Sequence, residues 1–244
     1  MSKFLVQCDW SQVPHLPLEV QAELLASIPE YQRDARSKGI PALGSGAIYP
    51  CSESQIVVPD RRIPDHWPRC FALDVGWKIT CAIFLARDPD AGIIYAYSEH
   101  YMGKEEPAIH AAAIRSRGAW IPGVVDPAAR GRSQRDGSVL IDAYRDLGLD
   151  IEPAFNAVEA GIFQVWQLFS GGMLKIFESL SNLRGELRLY RRDEDGKVVK
   201  ERDHACDALR YGIVSGRDRM ITEPANRPPE DPFGGSGFGG SWMA

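Results

Sequence analysis

The sequence predicts an α/β or α+β domain built on a mixed β-sheet, and three observations carry that prediction. Two apolar runs, TCAIFLAR (80–87) and GIIYAYSEHY (92–101), are joined by the turn residues DPDAG and read as a hairpin. A buried strand, RCFALDVG (69–76), precedes them. After them, short apolar runs alternate with segments of helical period, so the later strands are linked by crossover helices.

Taken in order, the first element is a helix over Pro17–Ser27, set in a proline-punctuated stretch. The strand RCFALDVG ends in a turn, and the hairpin follows. PAIHAAAIRSRG (107–118) is a helix with Gly118 just past its end. WIPGVVD (120–126) is a short strand, with Pro122 and Gly123 confining the regular part to Gly123–Val125. SVLIDAYRDLG (138–148) is an amphipathic helix closed by Gly148. LDIEPAF (149–155), AGIFQVWQLFSG (160–171) and MLKIF (173–177) read as strand, helix and strand. SLSNLRGELRLY (179–190) and the charged turn RDEDGK (192–197) are expected to be partly hairpin. ERDHACDALRYG (201–212) opens a final helix running to about Val214.

A chain of 244 residues can bury one sizeable core with an appendage. Its 44% apolar and 25% charged residues are those of an ordinary globular protein. No run approaches the roughly 20 apolar residues of a membrane span, and MSKFLVQCDW lacks the apolar core of a signal peptide. Five cysteines without a CxxC pair favour reduced thiols over disulfides or a zinc site. The net charge of −5 argues against a uniformly basic nucleic-acid binder, so local charge must decide. Three segments separate by composition. Residues 1–68 carry eight prolines and read as a linker or arm. Residues 69–220 form the compact body. Residues 221–244 are rich in Pro, Gly and Ser and are expected to be disordered.

Three acids lie where chemistry tends to collect. Asp74 ends FALDVGWK, Asp126 ends the strand in GVVDPAARGRS, and Asp207 lies on the final helix. Singly, Asp74 opens a turn, Asp126 begins an Asp-Pro turn, Asp203 caps the final helix, and His204 is a surface histidine near a helix start. Asp207 is different, because its helix also carries Ala208, Leu209 and Ile213 toward the core. A carboxylate there costs several kcal/mol unless paired. Asp203 and Asp207, four apart, also repel on one helix face. Carboxylates that converge share protons or bind a hard cation, and Mg²⁺ suits oxygen donors. Two such ions, about 3.5–4 Å apart, can clamp both oxygens of a displacement at phosphorus.

FALDVGWK, VVDPAARGRSQRDGS and KERDHACDALRYG, with GIPALGSGAIYP ahead of them, resemble the nuclease domain of the phage terminase large subunit, an RNase H-like family. The likeness covers about residues 10–216, and DHxxDALRY is its most specific piece. It implies an RNase H-like mixed central sheet flanked by helices, with an extended N-terminal arm and a disordered C-terminal tail. It also implies a metal-dependent endonuclease that cuts concatemeric phage DNA during packaging, with two Mg²⁺ or Mn²⁺ ions as cofactors. By that resemblance Asp74, Asp126 and Asp207 are acidic metal ligands and Asp203 an auxiliary one. His204 matches a histidine near the metals, able to orient a water or assist proton transfer. The implied partners are double-stranded DNA, the packaging ATPase domain, the portal and the small terminase subunit, in the host cytoplasm and with no membrane. No GxxxxGK[ST] occurs in the sequence, so no ATP hydrolysis is expected.

Basic residues gather near these acids despite the negative total. Arg130, Arg132 and Arg135 follow Asp126, while Lys200 and Arg202 precede the final helix, beyond Arg188, Arg191, Arg192 and Lys197. Such loops contact phosphates without reading bases; alternatively they are ordinary surface charge. Lys200 either offsets the acids or is solvated. Trp120 and Trp166 are expected in the core. Two other readings stand beside the nuclease. One is a non-catalytic docking module of the packaging motor, whose acids only cap turns. The other is an actin- or sugar-kinase-like phosphotransferase, from the D-x-G-x-x-T spacing of DVGWKIT, which lacks a second phosphate loop.

Overall fold

The computed structural model describes residues 8–28, 33, 36–38, 46–130 and 139–225. In chain order these form α1 (Leu18–Ser27), α2 (Glu53–Ile56), β1 (Val57–Val58), β2 (Arg69–Asp74), β3 (Thr80–Arg87), β4 (Ile94–Met102) and α3 (Pro107–Arg115). There follow β5 (Gly123–Val125), α4 (Leu140–Asp146), β6 (Ile151–Pro153), α5 (Val158–Ser170), β7 (Leu174–Phe177), α6 (Ser181–Leu187) and α7 (His204–Tyr211). The strands form one sheet in the order β1-β7-β4-β3-β2-β5-β6. All run parallel except β3, which is antiparallel to both of its neighbours.

The expected hairpin is β3 and β4, paired from Thr80↔Met102 to Arg87↔Ile94. Its turn is set by Asp88, whose Oδ1 accepts the amides of Asp90 and Ala91 at 2.9 and 3.1 Å, and by Gly92 at φ +71°. Strand β3 is buried on both faces along nearly its whole length, which is why it reads as a continuous apolar run. Alternate residues of β2 serve opposite cores. Phe71 and Leu73 pack with Ala111 and Ile114 of α3 and with Ile141 and Tyr144 of α4. On the other face, Cys70 joins Ile162, Val165 and Phe169 of α5 and Ala205 and Leu209 of α7. Asp74 continues the even-numbered series of β2, on the α7 side.

The later half of the expected arm buries its apolar residues against the body. Ile48, Tyr49, Ile56, Ile63 and Trp67 enter the main core, and Val57–Val58 pairs in parallel with Ile176–Phe177. Residues 226–244, most of the expected tail, lie outside the described residues, as does most of GIPALGSGAIYP. No helix among the described residues is long and apolar enough to cross a membrane.

Two expectations are corrected. Residues 181–187 form helix α6 rather than hairpin, and the hairpin shrinks to the bridge Arg192↔Val198 around its turn. The cause is distant in sequence. Glu99 of β4 accepts the Asn182 and Leu183 amides at 2.9 and 3.0 Å, a helix cap supplied from the sheet. Trp166 is not core: it is 38% exposed and stacks on the exposed Phe163, with centroids 5.9 Å apart.

Candidate active site

Strands β2 and β5 are neighbours in register through Leu73↔Val125, so Asp74 and Asp126 leave the sheet side by side at its carboxyl end. The Asp126 amide donates to the Leu73 carbonyl at 2.9 Å. Crevices at the carboxyl ends of parallel strands are where α/β sheets place ligands. Helix α7 crosses over them on a floor of small side chains, Ala72, Val124 and Ala154 packing with Tyr211. The approach is close enough that a Cβ on Gly212 would lie 2.6 Å from Leu85 Cδ1.

His204 ties the helix to the sheet: its Nδ1 lies 2.9 Å from Asp74 Oδ2. Burial raises the Asp74 pKa and the hydrogen bond to His204 opposes it, while the charges of Asp207 and Asp126 push it further up; the net shift is upward. The sensitivity of Asp74 to both charges places the three acids within electrostatic reach of one another. The pKa of His204 is raised in turn, chiefly by the bond to Asp74 against its own burial, with Glu186 and Asp203 adding to it.

Asp207 is the most heavily bonded acid. Lys200 Nζ lies 2.8 Å from its Oδ2 and 3.0 Å from Asp203 Oδ2. One ammonium thus bridges the pair that repels along the helix and offsets half of its charge. Arg210, 1% exposed, sets Nη2 3.0 Å from Asp207 Oδ1, an ion pair that is misaligned as a hydrogen bond. Arg210 also reaches Asn156 Oδ1 at 3.3 Å, and Tyr190 donates to Asp207 Oδ1 at 3.4 Å. Asp126 Oδ1 accepts from the Tyr211 hydroxyl at 3.1 Å and from the Ala128 amide at 3.0 Å, the turn-opening role expected of it.

Asp203 stands at the N-cap position but makes no capping bond with its side chain, because Lys200 engages that carboxylate. The first amides of α7 are taken instead by Glu186 of α6. Glu186, Tyr190, Arg210, Tyr211 and Asn156 were not singled out from sequence. Arg210 was findable, as a cation three residues beyond Asp207 on one helix face; Glu186 gave no local signal.

The basic residues divide. Lys200 faces the acids. Arg202 is exposed, with its backbone at φ +54°. The backbone of Arg130 closes a 3₁₀ turn from Pro127, while Arg132 and Arg135 lie outside the described residues. Arg188 and Arg184 clasp Glu53, and Arg192 pairs with Glu159. Among the described residues no three His, Cys, Asp or Glu side chains are gathered tightly enough to hold an ion as they stand. The donor set is nonetheless hard oxygen, and the Lys200 ammonium between two carboxylates marks a point that favours positive charge.

A family model, the terminase RNaseH-like domain, matches residues 76–215, which include Asp126, Asp203, His204 and Asp207 and begin two residues beyond Asp74. The chain belongs to the terminase RNaseH-like domain family. This displaces the sugar-kinase-like reading. The terminase large subunit of Salmonella phage P22 is 33% identical over 225 residues, covering 88% of this chain and 45% of its own length. This terminase chain therefore spans less than half of that relative. The P22 large terminase nuclease domain superposes with a TM-score of 0.67 at 30% identity, covering 73% of this chain and 96% of that one. The large terminase nuclease of the thermophilic phage G20c, solved with bound cobalt and with bound magnesium, shares the fold. Its TM-score is 0.52 at 16% and 15% identity, over 71% of this chain and 99% of that one.

Proposed function

We propose that this terminase domain is a divalent-metal-dependent endodeoxyribonuclease that cuts concatemeric phage DNA during packaging. The observation that supports the reading is that Asp74 and Asp126 leave adjacent strands side by side, with Asp207 on the helix above them and within electrostatic reach of Asp74. Asp74, Asp126 and Asp207, with Asp203 beside them, would hold Mg²⁺ or Mn²⁺. When bound, such ions supply an activated water nucleophile and stabilise charge on the leaving oxygen. His204 is held through Nδ1 by Asp74, which leaves Nε2 to take or give a proton. Lys200 pairs with Asp203 and Asp207, and a divalent cation held by these acids would take over that positive charge. Arg130, Arg132, Arg135 and Arg202 would contact phosphates without reading bases. The bound cobalt and magnesium of the G20c nuclease support the choice of metal. Duplex DNA, a packaging ATPase, the portal and the small subunit are the partners that the family likeness supports, with the host cytoplasm as the setting.

Nicking of supercoiled plasmid by the whole chain at low salt tests the proposal. Mn²⁺-stimulated cleavage is expected, with losses of 100-fold or more, on the order of those for oxyanion-site deletions, in Asp74→Asn and Asp207→Asn. No cleavage with any divalent ion at high protein concentration would leave the non-catalytic docking module as the better reading.

A further inference from the structure

The helix that carries His204 and Asp207 is held at its start by a residue from elsewhere in the chain. Glu186 Oε2 accepts the Ala205 amide at 2.6 Å and the Cys206 amide at 3.2 Å. Its Oε1 accepts the Tyr101 hydroxyl at 2.8 Å. The helix bearing Glu186 is itself capped from β4. Glu99 accepts the Asn182 and Leu183 amides at 2.9 and 3.0 Å and the Asn182 side-chain amide at 2.8 Å. Strand β4 thus holds α6 through Glu99, and holds α7 through Tyr101 and Glu186.

Glu186 is only 4% exposed, and burial pushes its pKa up against the pull of Tyr101 and the two amides. An ionisable group is expensive in such a place. The two amides it binds belong to the turn that carries His204 on one side and Asp207 on the other. A shift of that turn moves His204 off Asp74 and Asp207 off Lys200 together.

We propose that Glu186 is a positioning residue of the acidic site: it fixes the first turn of α7, and so the placement of His204 and Asp207, without touching metal or DNA. The proposal rests on the nuclease reading for its consequence, but not for its geometry.

The test compares Glu186→Ala, Glu186→Gln and Tyr101→Phe in the whole chain. Leu149→Ala, in the core on the opposite face, serves as a control for lost stability. Three readouts are taken where circular dichroism shows every variant folded: amide hydrogen exchange across 203–207, Mn²⁺ affinity by calorimetry, and plasmid nicking. Outer-shell partners of metal ligands typically cost 10–100-fold when removed. Glu186→Ala is accordingly expected to weaken Mn²⁺ binding and nicking by about 10–100-fold and to speed exchange. Glu186→Gln keeps an oxygen for the two amides and an amide for the Tyr101 oxygen, so it should stay within about threefold of the parent. Leu149→Ala should lower Tm and leave the other readouts alone. If the alanine variant does not fold, Tyr101→Phe decides, with faster exchange and about two- to fivefold weaker Mn²⁺ binding expected.

Unchanged exchange and metal affinity in Glu186→Ala, or in Tyr101→Phe, overturn the proposal. So does a Glu186→Gln variant as impaired as Glu186→Ala, which would make the carboxylate itself a ligand. A parent chain that neither binds Mn²⁺ nor nicks DNA defeats the nuclease reading separately, and the exchange data still judge the hold on α7.

Discussion

Asp207 combines a proposed role in the chemistry with a role in the fold on a single carboxylate. Its Oδ2 takes Lys200 and its Oδ1 faces both Arg210 and Tyr190. Arg210 is 1% exposed, so removing the acid strands a buried guanidinium. Asp207→Ala should therefore cost about 3–5 kcal/mol of stability. Asp207→Asn retains an oxygen toward Arg210 and should cost clearly less. Chemical denaturation of the two variants checks this, and equal losses would show that Arg210 finds another partner. The asparagine is thus the sounder variant for measuring lost activity. Lys200 is a different case, because its side chain is 58% exposed and its ion pairs are worth no more than about 1 kcal/mol. On the proposed reading it would compete with a divalent cation for the same oxygens. Lys200→Ala should lower the half-saturating Mn²⁺ concentration by about two- to fivefold, read by calorimetry. A rise would mean that the ammonium helps to build the metal site instead.

Among the elements, α5 shows how a helix can be shaped by a neighbour's side chain. Gly161 sits inside it although alanine is the better helix former by about 1 kcal/mol. A Cβ there would meet Arg210 Cγ at 2.8 Å and Cδ at 2.9 Å. The buried stem of Arg210 passes through that gap on its way to Asp207 and Asn156. Gly161→Ala should therefore destabilise the fold, by about 1–3 kcal/mol, despite the gain in helix propensity. A rise in Tm on thermal unfolding would mean that the arginine stem yields freely. The strands and the amphipathic helices were legible because each carries its own period. Helix α6 was not, since the cap that starts it comes from Glu99, more than eighty residues earlier. The same holds for β1, two residues long and hidden among prolines, which exists because β7 offers it an edge.

At the scale of the whole molecule, several arginines are committed to ion pairs between elements. Arg184, Arg188, Arg192 and Arg219 all face carboxylates of their own chain. With a net charge of −5, binding of this chain to DNA should be weak and salt-sensitive. The sheet also contains an acid-sensitive joint away from the acids. His100 of β4 and His110 of α3 are buried and share one hydrogen bond, Nε2 to Nδ1 at 2.9 Å. Burial and the neighbouring His110 and Arg117 push His100 down to about 4, and burial lowers His110 too, with Glu105 opposing. A histidine whose folded pKa lies below its unfolded value binds protons in the unfolded chain first. Stability is then full above about pH 6.5 and is lost as pH falls toward 4, on the order of 1–2 kcal/mol after solvent screening. Urea midpoints at pH 7.5 and 4.5, with NMR titration of the two rings, check this; a His100 that titrates near 6.5 refutes it.

The sequence by itself determined the class of fold, and it pointed to the acids that the proposed site uses. Strand period, turn residues and the spacing of DHxxDALRY are local properties, written in neighbouring residues. It also named Asp203 and His204, but assigned Asp203 a cap that it does not make. What only the tertiary structure decided is who partners whom: Lys200 between two carboxylates, Arg210 beneath Asp207, and Glu186 at the start of α7. Those pairings join residues on different elements, and burial makes each of them matter. A buried charge must be satisfied by whatever the fold brings within about 3 Å, and no local pattern records that distance.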